Sequence, residues 1–316
     1  MSGVGTARPP EGGLFDLQVN GFAGVDFQQP DLRHEDLRKA VRALRARRTD
    51  RILLTLVTDR IDRLCAKLER IESFRSRDPE VAAAIPGYHL EGPCLLPAPG
   101  YCGAHDPALM RRPDAAEFER LWEAAGGNVR LVTLAPELPG SVEFIRQLVG
   151  RGVRVAVGHS NAGDRAIDEA VAAGLTLCTH LGNGVPLELP RHDNVVQRLL
   201  ARDELFATFI PDGIHLPPPV LKNFVRAKPR ERVLFTTDCM AAAGAPPGRY
   251  RIGALETEVG ADGVVRMPGG GGFAGSSLTM DAAVGNVQSM VGWTREEALA
   301  ACSRRVADYL GFPPSA

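Results

Sequence analysis

The stretch VRLVTLAPELPGSVEFIRQLVGRGVRVAV, residues 129–157, contains one complete unit of the pattern that decides the fold. It begins with the short apolar run 129–134 and ends with a second one, 153–157. Each run is too short and too continuously apolar for a strand with one face in water, so both are predicted to be strands buried on both faces. Between them, residues 141–150 have the apolar spacing of an amphipathic helix. A strand, a helix and another buried strand are typical of a parallel sheet.

The same alternation recurs along the chain of 316 residues. The strand-like runs are 14–19, 52–57, 86–90, 129–134, 153–157, 175–178, 206–210 and 233–236. Eight strands alternating with helices predict an α/β fold, a closed (β/α)8 TIM barrel, as a single catalytic domain over residues 1–316. An open, doubly wound sheet is the alternative architecture that this alternation allows.

Residues 244–272 interrupt the alternation after the eighth strand. Their alternating character around the turn-like segment 260–263 predicts a small β-hairpin inserted into the barrel. The glycine run 269–272 lacks the GK[ST] of a phosphate-binding loop, so it is interpreted as a flexible connection.

Composition and charge limit the partners. Lys and Arg number 37 against 38 Asp and Glu, a net charge of −1, which argues against nucleic acid or an anionic membrane as the main partner. The six cysteines form no CxxC pair, as expected for a protein of the reducing cytoplasm. The sequence contains neither an export signal nor a stretch of 18 apolar residues, so we expect a cytoplasmic protein without a membrane span.

Polar residues follow the predicted strands at their carboxyl ends. Glu91 comes after the third strand, His159 after the fifth, His180 after the sixth and Asp238 after the eighth. A barrel brings these ends to one rim, where the active sites of such enzymes lie. Taken singly, either histidine could be an ordinary buried one, and Asp238 could cap a turn.

Together, the carboxylate of Glu91 and the imidazoles of His159 and His180 are the ligand set of a catalytic zinc-type ion whose fourth position is left to water. Such an ion lowers the pKa of its water from 15.7 towards ~7. Asp238, left free, could take the proton of that water and return it to a leaving amine. The chemistry indicated is metal-assisted hydrolysis, most naturally of an amide.

At this point a resemblance to a known family becomes visible. The matching segments are DLQVNGFAGVDF (16–27), HLEGPCLLPAPGYCGAH (89–105), VGHSNA (157–162), THLGNGVP (179–186), DGIHLPP (212–218), TTDCMAAAG (236–244) and FAGSSLTMDAAVGN (273–286). In this order they resemble the N-acetylglucosamine-6-phosphate deacetylases of the amidohydrolase superfamily. The resemblance extends from about residue 14 to the C-terminus.

The resemblance implies a role for each matching residue and release of acetate from N-acetylglucosamine 6-phosphate. Glu91, His159 and His180 would hold the metal, Asp238 would be general base and then acid, and His105 would polarise the amide carbonyl. Sugar hydroxyls and phosphate would be bound by residues of three later segments: Asn183, Gly184, Arg191 and His215.

The first strand carries Gln18 and Asn20 where the wider superfamily has His-x-His for a second metal. Amides are weak zinc ligands, so we expect a single divalent ion, Zn²⁺ first, with Fe²⁺, Co²⁺ or Mn²⁺ as alternatives. We place Gln18 among the substrate-binding residues.

Two departures from the family pattern lead to further expectations. Gly182 and Gly184 replace residues with side chains, which predicts a wider pocket. The small β-sandwich of the family is expected to be absent or reduced to the hairpin 249–266, because only residues 1–13 precede the first strand and GFPPSA (311–316) follows the last helix. The family tends to dimerise, so a homodimer is expected.

Two other functions remain open. The same metal chemistry could act on another N-acyl or cyclic amide substrate. A catalytically silent sugar-binding barrel is the alternative from a different class.

Overall fold

The computed structural model describes residues 13–267 and 272–313. Its centre is a sheet of eight parallel strands that neighbour one another in chain order. They are β1 Leu14–Val19, β2 Thr49–Val57, β3 Gly87–Glu91, β4 Val129–Leu134, β5 Arg154–Val157, β6 Leu177–Cys178, β7 Phe206–Phe209 and β8 Val233–Phe235. A parallel bridge from Val19 to Cys239 brings the first strand against the chain that leaves the last one. The predicted TIM barrel is confirmed.

Helices cover the outside of the strands. They are α1 His34–Ala46, α2 Ile61–Arg75, α3 Pro79–Ala84, α4 Ala115–Ala124, α5 Ser141–Gly150, α6 Asp164–Ala173, α7 Val195–Leu200, α8 Pro218–Ala227, α9 Met280–Asn286, α10 Arg295–Ala301 and α11 Arg304–Leu310. In α2 the buried residues include Leu64, Leu68 and Ile71, one stripe at helical spacing that packs into the layer between helices and strands. Within the two described ranges, no helix is long and apolar enough to cross a bilayer.

The amino ends of the strands are covered by α11. Its Val306, Ala307 and Tyr309 join an apolar cluster with Phe15 and Leu17 of β1. The ring of Tyr309 lies 4.8 Å from that of Phe206, and its hydroxyl is 2.9 Å from Oγ1 of Thr176. Apolar side chains therefore close this end of the barrel.

The interruption after β8 forms a small antiparallel sheet. It has three strands, β9 Gly248–Ile252, β10 Leu255–Val259 and β11 Val265–Arg266, where the sequence predicted a two-stranded hairpin. The predicted turn at 260–263 lies between β10 and β11, where the amide of Gly263 donates to the carbonyl of Gly260. Most of the glycine run, residues 269–271, lies outside the described residues.

Asp26 and Gln29 attach this small sheet to the barrel. The amide of Gly253 donates to Oδ2 of Asp26 at 2.9 Å, and Nε2 of Gln29 donates to the carbonyl of Gly253 at 3.2 Å. The turn between β9 and β10 is thereby held against the segment that follows β1.

Candidate active site

The predicted site residues meet at the carboxyl ends of the strands. Glu91 is the last residue of β3, and His159 and His180 each lie two residues beyond β5 and β6. All three side chains are buried. Asp238, three residues beyond β8, is partly exposed. The barrel thus brings residues that are far apart in sequence to one rim.

Glu91 is the centre of the cluster. Its Oε1 lies 2.8 Å from Nε2 of His180 and 3.4 Å from Nε2 of His159. Its Oε2 lies 3.5 Å from Nε2 of His105 and accepts a hydrogen bond of 3.0 Å from Nε2 of Gln18. Burial alone raises the pKa of Glu91, but the hydrogen bonds from the three imidazoles outweigh it, and the pKa lies well below its usual range. Glu91 is therefore ionised near neutral pH.

The backbone holds the rings of His159 and His105 in different ways. Nδ1 of His159 is 2.7 Å from the carbonyl oxygen of Tyr101, which can only accept, so Nδ1 carries a hydrogen and Nε2 is the atom turned towards Glu91. Nδ1 of His105 accepts a 3.3 Å hydrogen bond from the backbone N–H of Thr58. Burial lowers the pKa of His105, and its neutral ring must then carry the hydrogen on Nε2.

His180 contacts the cluster through Nε2. Within the described ranges its Nδ1 is buried and has no hydrogen-bond partner, so the contact with Glu91 is the ring's one hydrogen bond there. Burial lowers the pKa of His180, but hydrogen bonding and attraction to Glu91 outweigh it and raise the pKa.

The cluster fits a divalent metal ion. Potential ligand atoms of Glu91, His105 and His159 all lie within 4.8 Å of one another, and His180 adjoins them through Glu91. One carboxylate with imidazoles is a ligand set that suits zinc and related transition metals. The residue types needed for a metal site are therefore in place.

The backbone adopts an uncommon conformation at three of these residues. His159, His180 and Asp238 have φ of 52°, 32° and 50°, in the left-handed region that few residues other than glycine occupy. Such backbone tends to concentrate at functional sites because the surroundings must hold it in place. The backbone conformation therefore indicates a functional site at this rim, without any assumption about metal ligands.

Asp238 is held from one side by Asn20. Nδ2 of Asn20 donates to Oδ1 of Asp238 at 2.8 Å. Desolvation, together with the negative charge of Glu91, raises the pKa of Asp238 to about 6. A carboxyl group with this pKa can both take up and release a proton near neutral pH.

The predicted substrate-binding residues have different surroundings. Nδ1 of His215 is 2.5 Å from Oδ2 of Asp212, and its ring lies 5.2 Å from that of Phe273. Nδ2 of Asn183 donates to the carbonyl of His180 at 3.2 Å. Arg191 is exposed and makes no hydrogen bond or ion pair with a described residue, whereas Gln18 is buried against Glu91.

The expected widening of the pocket at Gly182 and Gly184 is wrong. A Cβ at Gly182 would lie 2.9 Å from atoms of Leu216 and Phe224, and one at Gly184 would lie 2.8 Å from Nδ1 of His159. Both residues also have positive φ, 102° and 64°. These glycines are needed for close packing and leave no additional space, since neighbouring side chains already fill it.

Sequence reasoning missed the groups that orient the imidazoles. The Tyr101 carbonyl and the Thr58 amide are backbone groups, and no residue type signals them. Thr58 directly follows β2, and its position at a strand end is the one hint that it could face the site.

Comparisons with known proteins identify the family of this chain. No protein-family model matches the chain. The N-acetylglucosamine-6-phosphate deacetylase of Bos taurus is 38% identical over 316 residues, covering 95% of this chain and 74% of the bovine protein. The chain belongs to the N-acetylglucosamine-6-phosphate deacetylase family. The resemblance seen in the sequence is thereby confirmed.

Two further relatives extend the comparison. The N-acetylgalactosamine-6-phosphate deacetylase of Escherichia coli O157:H7 is 35% identical over 298 residues, covering 94% of this chain and 76% of that protein. A solved structure from Mycobacterium smegmatis has a TM-score of 0.88 and 31% identity, and the match covers 100% of this chain and 83% of that one. It is an Asp-to-Ala variant of N-acetyl-D-glucosamine-6-phosphate deacetylase in complex with N-acetyl-D-glucosamine-6-phosphate.

Proposed function

We propose that this protein hydrolyses the N-acetyl amide of an amino-sugar 6-phosphate, converting N-acetylglucosamine 6-phosphate to glucosamine 6-phosphate and acetate. The observation that carries the proposal is the pairing of two carboxylates in different roles on one rim. Glu91 is enclosed by imidazoles, and Asp238 is free to exchange protons beside it. Relatives named as deacetylases of two such sugar phosphates support the substrate class.

We infer that Glu91, His159 and His180 hold one divalent ion, with Zn²⁺ the first choice and Fe²⁺, Co²⁺ or Mn²⁺ as alternatives. The contact between Nδ1 of His159 and the carbonyl oxygen of Tyr101 supports its place in this set, because a ligand histidine commonly donates its other N–H to a backbone carbonyl. When bound, such an ion polarises a carbonyl group and makes water a nucleophile near neutral pH.

His105 and Asp238 supply hydrogen bonding and proton transfer. The Nε2–H of His105 can donate to the oxygen of the acetyl carbonyl, on which negative charge develops when water adds. Asp238 takes a proton from the attacking water and passes it to the sugar nitrogen, so that the C–N bond breaks with a neutral amine leaving. The pKa of about 6 suits both halves of this exchange.

We assign Arg191, His215, Asn183 and the Gly184 backbone to the sugar and its phosphate. Arg191 has no partner among residues 13–267 and 272–313, so its guanidinium is available to a phosphate, which it can bind through two parallel hydrogen bonds.

We also infer a cytoplasmic homodimer made of one catalytic unit per chain, with residues 244–272 as an insertion in the barrel. Six free cysteines suit a reducing compartment. The homodimer is inferred from the tendency of the family to dimerise. Light scattering after size exclusion measures the oligomeric state directly.

An acetate-release assay tests the function. The protein is stripped with a chelator, reloaded with Zn²⁺, and given N-acetylglucosamine 6-phosphate, N-acetylgalactosamine 6-phosphate and unphosphorylated N-acetylglucosamine. We expect acetate from a phosphorylated sugar, turnover lower by about 10²-fold or more without phosphate, and no turnover in the stripped protein.

Two results would contradict the proposal. Faster turnover of a cyclic amide or another N-acyl compound would move the function to that substrate class. Full metal loading without any acetate release would favour a non-catalytic sugar-binding protein.

A further inference from the structure

Two buried amide side chains lie between the metal cluster and the general base. Gln18 is the penultimate residue of β1 and Asn20 directly follows the strand. Each side chain is 2% exposed. Each donates to a different one of the two site carboxylates.

Gln18 determines which oxygen of Glu91 faces His159 and His180. Its Nε2 donates to Oε2 at 3.0 Å, and an amide nitrogen can only donate, so the contact stabilises the ionised carboxylate in one rotation. Oε1 is then the oxygen that meets Nε2 of His159 and His180. Terminal carboxylate torsions have broad energy wells, so an external contact is needed to select one orientation.

Asn20 orients the carboxylate of Asp238. Its Nδ2 donates to Oδ1 at 2.8 Å, and Oδ2 accepts no hydrogen bond from any residue in the described ranges. The backbone amide of Asn20 donates to the carbonyl of Cys239 at 2.7 Å, next to Asp238 in the chain. Because backbone and side chain are both tied to this segment, Asn20 fixes the carboxylate and leaves Oδ2 as the oxygen that exchanges the proton.

We propose that Gln18 and Asn20 are positioning residues with separate effects: Gln18 orients Glu91 for metal binding, and Asn20 orients Asp238 for proton transfer. The Asn20 half of this inference rests on the proposed deacetylase activity. The Gln18 half concerns metal affinity alone and is measured without turnover.

The test compares Gln18→Met with Asn20→Leu, which remove each amide while keeping similar side-chain volume. For Gln18→Met, equilibrium dialysis should show the Kd for Zn²⁺ rising about 10- to 100-fold, and turnover should recover largely at saturating metal. For Asn20→Leu, the Kd for Zn²⁺ should stay within about threefold of the wild type, while kcat for acetate release falls about 10- to 100-fold with little change in KM.

Gln28→Met is the matched control. Gln28 is an equally buried amide that contacts the carbonyls of Thr55 and Asn20 and the amide of Val57, and it touches neither site carboxylate. This variant should have a lower melting temperature but a wild-type Kd for Zn²⁺ and wild-type kcat. If Asn20→Leu does not fold, Asn20→Ala replaces it under the same criteria.

Parallel losses of metal affinity and turnover in both variants, or unchanged values in both, would overturn the division of roles. If all three variants lose the same property equally, the effects are those of general destabilisation and the proposal is wrong. Absence of acetate release by the wild-type protein would instead reject the deacetylase function, and the Kd values would still decide the role of Gln18.

Discussion

At the carboxyl ends of the strands, Glu91, His159 and His180 lie buried against one another, whereas at the amino ends Phe15 and Tyr309 belong to an apolar layer closed by α11. Both ends bury side chains, but with different consequences for the free energy. Burying a carboxylate costs free energy unless it is hydrogen-bonded or paired. Burying an aromatic ring is favourable without any partner. The amino end therefore contributes stability, while the carboxyl end uses part of it to hold reactive groups together.

Asp238→Asn removes the proton acceptor at the carboxyl ends of the strands. The variant keeps the shape of the side chain and an oxygen that can accept from Asn20, but it cannot accept the proton of water. We expect turnover to fall about 10²- to 10⁴-fold, with metal content unchanged and a melting temperature equal to or above that of the wild type. Acetate release, metal analysis and calorimetry on the same preparation check this. Loss of the metal would make Asp238 a ligand.

Two alanine variants distinguish the role of His180 from that of His105. We expect His180→Ala to bind Zn²⁺ too weakly to retain it through dialysis, because two remaining ligands hold zinc poorly. His105→Ala should keep its metal and lose turnover about 10²- to 10³-fold, as when one donor to a developing oxyanion is removed. If His105→Ala loses the metal and His180→Ala keeps it, His105 is a metal ligand. His105 already lies with Glu91 and His159 in the group whose potential ligand atoms are within 4.8 Å of one another.

A change at the other end of the barrel tests stability alone. Tyr309→Ala removes a buried ring that packs on Phe206 and closes the amino ends of the strands. We expect the free energy of unfolding to fall by about 3–5 kcal/mol, measured by denaturant titration. At a temperature where the variant is folded, kcat should match the wild type. A large drop in kcat would show that the two ends are coupled.

The smallest expected effect is that of Tyr309→Phe. This variant keeps the ring and removes the hydroxyl that lies 2.9 Å from Oγ1 of Thr176. A loss of about 1 kcal/mol in unfolding free energy is expected, the usual net value of such a hydrogen bond. A loss as large as that of Tyr309→Ala would assign the stabilisation to the hydroxyl instead of the buried ring.

Much of the barrel was predictable because buried parallel strands are continuous apolar runs. All eight strands occur in the predicted order, although β2 begins three residues before the predicted run at 52 and β6 contains only Leu177–Cys178. Strand ends are hard to predict because hydrogen bonding to neighbours decides them, and those neighbours are distant in sequence. The third strand of the small sheet, Val265–Arg266, was missed because two residues are too few for a visible alternation.

The site was predictable to the level of residue types at strand ends. Their assembly on one rim follows from barrel topology. The hydrogen positions on His159 and His105 could not be predicted, since they depend on backbone groups of Tyr101 and Thr58. The space at Gly182 and Gly184 was misjudged because the side chains that fill it, Leu216, Phe224 and His159, come from other segments.

The left-handed backbone at His159, His180 and Asp238 has a consequence for the fate of duplicated genes. Of the residues with a side chain, asparagine tolerates this backbone well, and it adds no buried charge, while β-branched residues fit it badly. In a duplicated copy of the gene, asparagine is therefore the replacement that this backbone accepts best at the three positions, and valine or isoleucine the ones that it accepts worst.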